Sequence, residues 1–274
     1  MPTHSENLGY KLDLTSAVYA RLTRRLWRHP SLAARFPQFL IHLHGMVRSG
    51  VPLLQAALDR CRALPGDPVA AGLVEYLEHH IPEETGHDEW LLQDIVDLGV
   101  SRQAALDEVP SALVASVVGA QYYWIHHQHP VAIMGWLFLL EGNPPRADHL
   151  AWVQARTGLP DAAFRTLLHH AEADIGHRQE LLETLDQLPL NLTQEGLVAI
   201  SAIWSQHLLA QSLAELLELF DSGPAGRAAR GNGARQPAPR TSDGQRARPG
   251  REPERRPPGR ARRVLRRSDR GRGG

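Results

Sequence analysis

Two stretches of the chain, "HHIPEETGH" and "HHAEADIGH", carry the residue types from which metal sites are built, at nearly the same spacing. In the first, His80, Glu84 and His87 follow one another by four and then three residues; in the second, His170, Asp174 and His177 do the same. At about 100° per residue, each set falls within roughly 60° of arc on a helix. A stripe at that spacing is ordinarily apolar and faces the core. A single polar one is commonly a solvated face with i,i+4 pairs, but two matching stripes in a chain with no other catalytic signature point to chemistry. Imidazole and carboxylate without thiolate suit iron or manganese and can also hold zinc. Facing one another across a helical bundle, such stripes make a carboxylate-bridged two-metal site.

Pro82 interrupts the first stripe. It has no N–H and crowds the carbonyl four residues back, so a kink or restart is predicted there. That leaves Glu84 and His87 on the regular side as a Glu-x-x-His pair and puts His80 beyond the break. Glu84 is the expected ligand, with His80 as its substitute or an outer partner. The residues alone leave that choice open. Glu141 ends the apolar run of "GWLFLLEGNPP", just before Gly142-Asn143-Pro144-Pro145, where a helix must stop. An acid in a last turn opposes the helix dipole, and no basic residue stands three or four positions before this one. Glu141 therefore reads as a carboxylate delivered into the core, where it would bridge two metals. His79, Glu83, His169 and Glu172 lie off the stripes and read as surface residues. Tyr122, Tyr123, Trp124, Met134, Trp136 and Phe138 could supply an apolar shell, although each taken alone is ordinary core. His126, His127 and His129 stand roughly four turns before Glu141 and read as a solvated helix end.

The elements that must position these residues are helical nearly throughout. "TSAVYARLTRRLWRH" is amphipathic and stops before Pro30. "SLAARFPQFLIHLHGMVRSGVPLLQAALDRCRAL" is a longer helix bent near Pro37 and Gly50-Pro52. "DPVAAGLVEYLEHHIPEETGHDEWLLQDIVDLG" opens with an Asp67 cap and Pro68 at the first helical position, and closes at Gly99. Then come "SALVASVVGAQYYWIHH", "PVAIMGWLFLLEG", "RADHLAWVQART", "DAAFRTLLHHAEADIGHRQELLETLDQL" with Asp161 as its cap, and "TQEGLVAISAIWSQHLLAQSLAELLELF". Alternating β patterns and fixed-period repeats are absent. The pattern predicts an all-α bundle of seven or eight helices.

The zero net charge of the 274 residues hides a division. From Ser222 onward there are 16 Arg against 4 acidic residues, which leaves 14 basic and 26 acidic residues in the body. Residues 222–274, rich in Arg, Pro and Gly, hold too little apolar surface to offset the entropy of ordering. They read as a disordered tail behind a helical domain at 1–221. No aromatic is interleaved with the arginines to stack on bases, which argues against nucleic acid as a partner. Cys61 is the only cysteine, so neither a disulfide framework nor a thiolate metal site is available. The N-terminal "MPTHSENLGYKLDL" lacks the apolar stretch of a signal peptide, and the run near "VAIMGWLFLL" spans about ten residues against the ~20 of a membrane helix. A soluble cytoplasmic protein is expected, with no membrane partner and a homodimer allowed.

In sequence order, Glu84-x-x-His87 in "EETGHDEWLLQDIVDLG", Glu141 in "MGWLFLLEG" and His170-x-x-x-Asp174-x-x-His177 resemble the motifs of the heme-oxygenase-like di-iron oxidases and oxygenases. Those are seven-helix proteins, many of them described only as iron-containing redox enzymes, and the likeness spans about residues 15 to 220. It implies that Glu84, His87, Glu141, His170, Asp174 and His177 hold two iron ions, with manganese allowed, that activate O₂ toward a small organic substrate. In some members the first acid stands seven residues before the histidine, where this chain has His80. Members decarboxylate or fragment fatty acids and amino acids, N-oxygenate amines, or build an aromatic amine from their own side chains; fold cannot choose among these. A ferritin-like iron-binding protein would show a further glutamate and a second Glu-x-x-His. A thiaminase-like enzyme would want a reactive cysteine, and a true heme oxygenase one proximal histidine and a glycine-rich distal helix. The non-enzymatic alternative is a helical interaction protein whose arginine tail binds an anionic partner.

Overall fold

Local chemistry sets many of the helix boundaries. Asp67 accepts from the backbone N–H groups of Val69 and Ala70 at 2.9 Å, with Pro68 in the first turn where its missing N–H costs nothing. Thr3 and Glu6 form a reciprocal capping box, so the N-terminal stretch is itself a helix, α1 (His4–Thr15). The computed structural model describes residues 2–142 and 146–222, and the arginine-rich segment read as a tail lies outside them. After α1 come α2 (Ala17–Trp27), α3 (Leu32–Val47), α4 (Gly50–Arg62), α5 (Pro68–Glu84) and α6 (His87–Asp97). A two-turn α7 (Arg102–Asp107) leads to α8 (Ala112–His127), α9 (Ala132–Leu140), α10 (Ala147–Thr157), α11 (Arg165–Gln187) and α12 (Leu192–Ser222).

The bundle is all-α, as the pattern predicts, and finer than the pattern in four places. Two expected helices are each split, at Arg48-Ser49 and at Thr85-Gly86, while α1 and α7 are additional. Both additions are short and polar, and caps rather than apolar periodicity give them away: Ser101 accepts from the N–H of Ala104 at the start of α7. Asp161 does not cap α11. It lies in a 3₁₀ turn, Asp161–Phe164, where its carboxylate accepts from Gln154, and α11 starts at Arg165.

Apolar burial is divided between two clusters. One collects Leu73, Tyr76 and Leu77 of α5, Leu137 and Phe138 of α9, and Leu181 and Leu185 of α11. The other collects Leu91 and Ile95 of α6 with Leu167 and Ala171 of α11, Phe164 and Phe36. The polar residues of "HHAEADIGH" sit on α11 between its contributions to the two clusters, and Glu84 and His87 sit where α5 of the first gives way to α6 of the second. The candidate chemistry lies at the seam of the core. α12 is long and apolar enough to span a membrane by length and composition, but 56% of its most apolar window is buried inside the protein. Its closest neighbour is α9, where Gly135 is required: a Cβ there would stand 2.2 Å from the Val198 carbonyl oxygen.

Candidate metal centre

Four helices deliver the candidate ligands. α11 runs without interruption and presents His170, Asp174 and His177 along one side, as their spacing predicts. The first stripe is built differently. α5 continues through Pro82 to Glu84, and the break comes at Thr85-Gly86. Pro82 stands in the last turn, where the hydrogen bond it deletes would go to Glu78 on an exposed face, so little is lost there. Gly86 has φ +98°, a conformation that other residues adopt only with strain, and it turns the chain so that His87 becomes the first residue of α6. The expected kink at Pro82 is therefore corrected. His80 and Glu84 share a helix, and His87 is supplied from the next one.

This places His80 at the centre rather than outside it. Its side chain has no solvent exposure, its Nε2 lies 3.2 Å from Glu141 Oε1, and Tyr76 stacks on its ring at 5.1 Å. Glu141, at the C-terminus of α9, is buried as well. The next residue must be glycine, because a Cβ on Gly142 would lie 2.2 Å from the Phe138 carbonyl oxygen, and Arg178 of α11 donates to the Gly142 carbonyl at 3.0 Å. On the other side of Glu84, its Oε2 meets His87 Nδ1 at 3.0 Å, and His170 Nδ1 meets Asp174 Oδ1 at 3.2 Å. His177 Nδ1 stands 3.5 Å from Glu84 Oε1 and 3.7 Å from Asp174 Oδ1.

Ligand atoms lie close enough to share an ion in two triads, the first buried apart from half-buried Glu84 and the second half-buried around a buried His87. His80, Glu84 and Glu141 form one, and Glu84, His87 and His170 form the other, each with its ligand atoms within 4.8 Å of one another. Glu84 belongs to both. Glu141, expected to bridge, belongs to one only, because the end of α9 brings it to the His80 side. Several atoms also sit buried with no hydrogen-bond partner: Nδ1 of His80, Oε1 of Glu84, Oε2 of Glu141 and Nδ1 of His177. A buried polar atom without a hydrogen bond costs about 1–3 kcal/mol, and a bound cation would satisfy these four together. The donor set fits two iron ions.

The metal-free electrostatics point the same way. Burial opposes charge on His80, yet the hydrogen bond and charge of Glu141, together with Glu84, raise its pKa overall. His170 is raised by Asp174 and Glu84 against a larger single effect of burial. His177 rises to about 9, first through Asp174 and then through Glu141, Glu84 and Glu83, with burial opposing. For Glu84 and Asp174, burial is again the largest single influence, but the surrounding imidazoles outweigh it and lower both carboxyls. Glu141, the most enclosed, is raised by its burial.

Several contributors are not legible from the stripes. Asp94, almost fully buried on α6, accepts from the Thr166 N–H at 2.9 Å and from Arg165 Nε at 3.1 Å. It caps the start of α11 from a neighbouring helix and so fixes His87 relative to His170. A signal existed, since Asp94 stands seven residues after His87 on the same helical face. Tyr76 likewise stands one turn before His80. Glu83 is exposed, as its position off the stripe predicts, yet its Oε2 lies 3.4 Å from His177 Nε2 and 3.8 Å from His80 Nδ1. His169 and Glu172 are exposed, and so are Tyr123, His126 and His127, while Met134, Trp136 and Phe138 are core. Cys61 is buried, which pushes its thiol up to about 12, so it is no nucleophile. Beside the second triad opens a cleft of about 380 Å³ lined by Trp90, Gln93, Asp94, Arg165, Thr166 and His169. The His169 ring lies 5.3 Å from that of His87.

Comparison with known proteins agrees with this architecture. A domain of unknown function with a heme oxygenase-like fold from Shewanella denitrificans OS217 superposes with a TM-score of 0.62 at 18% identity, covering 82% of this chain and 94% of that one. A TenA homolog from Pseudomonas syringae pv. tomato DC3000 gives 0.57 at 15% identity over 76% and 93%. At such identities the likeness establishes the heme oxygenase-like fold alone. A search of curated proteins finds no match. The family model described as iron-containing redox enzyme matches residues 37–205, a span that holds the candidate ligands of both triads, and the chain belongs to that family.

Proposed function

We propose that the protein is a non-heme di-iron oxidase or oxygenase that uses O₂ to oxidise a small organic molecule. The observation that carries this is the pair of triads sharing Glu84, with four buried ligand atoms that make no hydrogen bond. His80, Glu84 and Glu141 would hold one ion, and Glu84, His87 and His170 the other, with Asp174 and His177 completing the set from α11. Two ferrous ions bound there would supply electrons and open positions for O₂. The chain's own part is positioning and exclusion. Glu84 fixes the separation of the two positions, and Asp94 holds the helices that carry His87 and His170 in register. The flanking apolar clusters keep bulk water from the seam, which strengthens every electrostatic contact inside it. A substrate would approach through the cleft at Trp90 and His169, which opens beside the Glu84-His87-His170 triad.

Oxygen uptake by ferrous-loaded protein, measured against fatty acids, amino acids and amines, tests the reading. Uptake above the no-substrate rate with one class, abolished in Glu141→Ala, is the expected result. Stoichiometric iron binding without substrate-dependent uptake in any class would leave an iron-binding protein and refute the oxidase.

A further inference from the structure

The two triads are the inner half of a longer series. His80, Glu83 and His177 form a third cluster, and His79, Glu83 and Glu180 a fourth, each with ligand atoms within 4.8 Å of one another. Each cluster shares a residue with the next. Glu83 joins the outermost to the third, His80 joins the third to the first triad, and Glu84 joins the two triads. Side-chain exposure falls along the series, from 63% at His79 and 38% at Glu83 to 12% at His177 and none at His80. The two imidazoles in the middle each face both ways. His80 turns Nε2 to Glu141 and Nδ1 to Glu83; His177 turns Nδ1 to Glu84 and Nε2 to Glu83. His80 Nδ1 is fully buried and unpartnered, 3.8 Å from Glu83 Oε2.

We infer that His79, Glu180 and Glu83 form the entry route by which a divalent cation reaches the buried centre, with Glu83 handing it to the outward nitrogens of His80 and His177. The inference rests on the two-metal reading above. A cation entering a carboxylate-lined seam from water must exchange hydration for protein ligands in steps, and overlapping triads provide a bound state at each step without a fully desolvated gap. The carboxylates at the mouth also concentrate cations locally, an effect that changes on-rates by roughly 10- to 1,000-fold. The aromatic cleft at Trp90 lies beside the other triad, so cation and substrate have separate approaches.

A transit residue speeds entry and exit alike and leaves the equilibrium unchanged. The test is stopped-flow uptake of Co²⁺, followed by its visible absorption, into metal-free full-length protein, with release measured by chelator chase. Glu83→Gln is expected to slow entry and exit together by roughly ten-fold or more, with the final two ions per chain retained. Glu180→Gln should slow both by less, and Glu172→Gln, an exposed charge on the same helix, by nothing. Unchanged entry in Glu83→Gln overturns the inference. So does weakened binding through faster exit alone, which would make Glu83 a resident ligand, or equal slowing in Glu172→Gln, which would make the effect one of bulk charge. A wild-type protein that binds no Co²⁺ at equilibrium instead refutes the two-metal reading itself.

Discussion

The centre is fed by two segments of opposite construction. α11 is an unbroken helix that places His170, Asp174 and His177 by periodicity alone. The α5–α6 junction places His80, Glu84 and His87 by a helix end, a left-handed glycine and a new helix start. Periodicity gives a stripe but no reach, because every residue on α11 looks from the same side. The junction gives reach: its turn lets Glu84 sit between two triads, with His80 toward one and His87 toward the other. The carboxylate common to both triads comes from the irregular segment. That is where a bridging carboxylate can be placed.

The sharpest way to break this comparison is to remove one ligand from each segment. Glu84→Ala should abolish binding at both positions, since it belongs to both triads, whereas His170→Ala should leave one ion bound. Metal content after anaerobic loading and desalting decides it; equal losses from the two variants would mean Glu84 is not shared. His80→Ala should likewise cost the ion on the Glu141 side.

Acidity separates the segments next. Binding requires the proton to leave His177, whose pKa of about 9 lies above its unfolded value near 6.5. Affinity should therefore rise by about ten-fold per pH unit from pH 7 to 9. The raised pKa also stabilises the metal-free fold, fully below pH 6.5 and decreasingly as pH climbs through 9, so the two trends run in opposite directions. Metal titrations and urea unfolding at both pH values check this, and an affinity flat over the window contradicts it.

Asp94 ties α6 to α11. Asp94→Ala leaves the Thr166 N–H uncapped and Arg165 without one partner, and a loss of about 2 kcal/mol in urea unfolding is expected. A loss below about 0.5 kcal/mol would mean that the two segments are held in register by packing alone.

The smallest effects come from a single change made in both places. Gly86 has φ +98° and open space around it, so Gly86→Ala should cost about 1–2 kcal/mol through backbone strain alone. Gly176 is helical, and a Cβ there meets nothing within 4 Å, so Gly176→Ala should add about 0.5–1 kcal/mol. Thermal unfolding of the two metal-free variants gives the signs, and like signs would refute the contrast.

What was legible in the sequence follows the same division. The spacing of His170, Asp174 and His177 needed only a straight helix, and α11 is one. The apolar runs of α8, α9 and α12, without strand alternation and bounded by Pro and Gly breaks, were enough for an all-α bundle. At the junction, Pro82 pointed to a break three residues too early, because a proline in a last turn deletes a bond that matters little, whereas Gly86 could show its φ only in three dimensions. That shift left the direction of His80 open and did not show that Glu84 belongs to both triads. Arg178 acts across helices, so nothing local marks it, and Asp94 is marked only by its place seven residues after His87 on α6. Glu83 lies off the stripe by helical angle and reaches the centre only because His80 and His177 each turn a nitrogen outward.

Stoichiometry at one carboxylate, Glu84, tests the two-metal reading most directly. Anaerobic titration of the metal-free protein with ferrous ion should saturate at two ions per chain in the wild type, at one in His170→Ala and at none in Glu84→Ala. Saturation of the wild type at one ion or none, or two ions retained by Glu84→Ala, would contradict it.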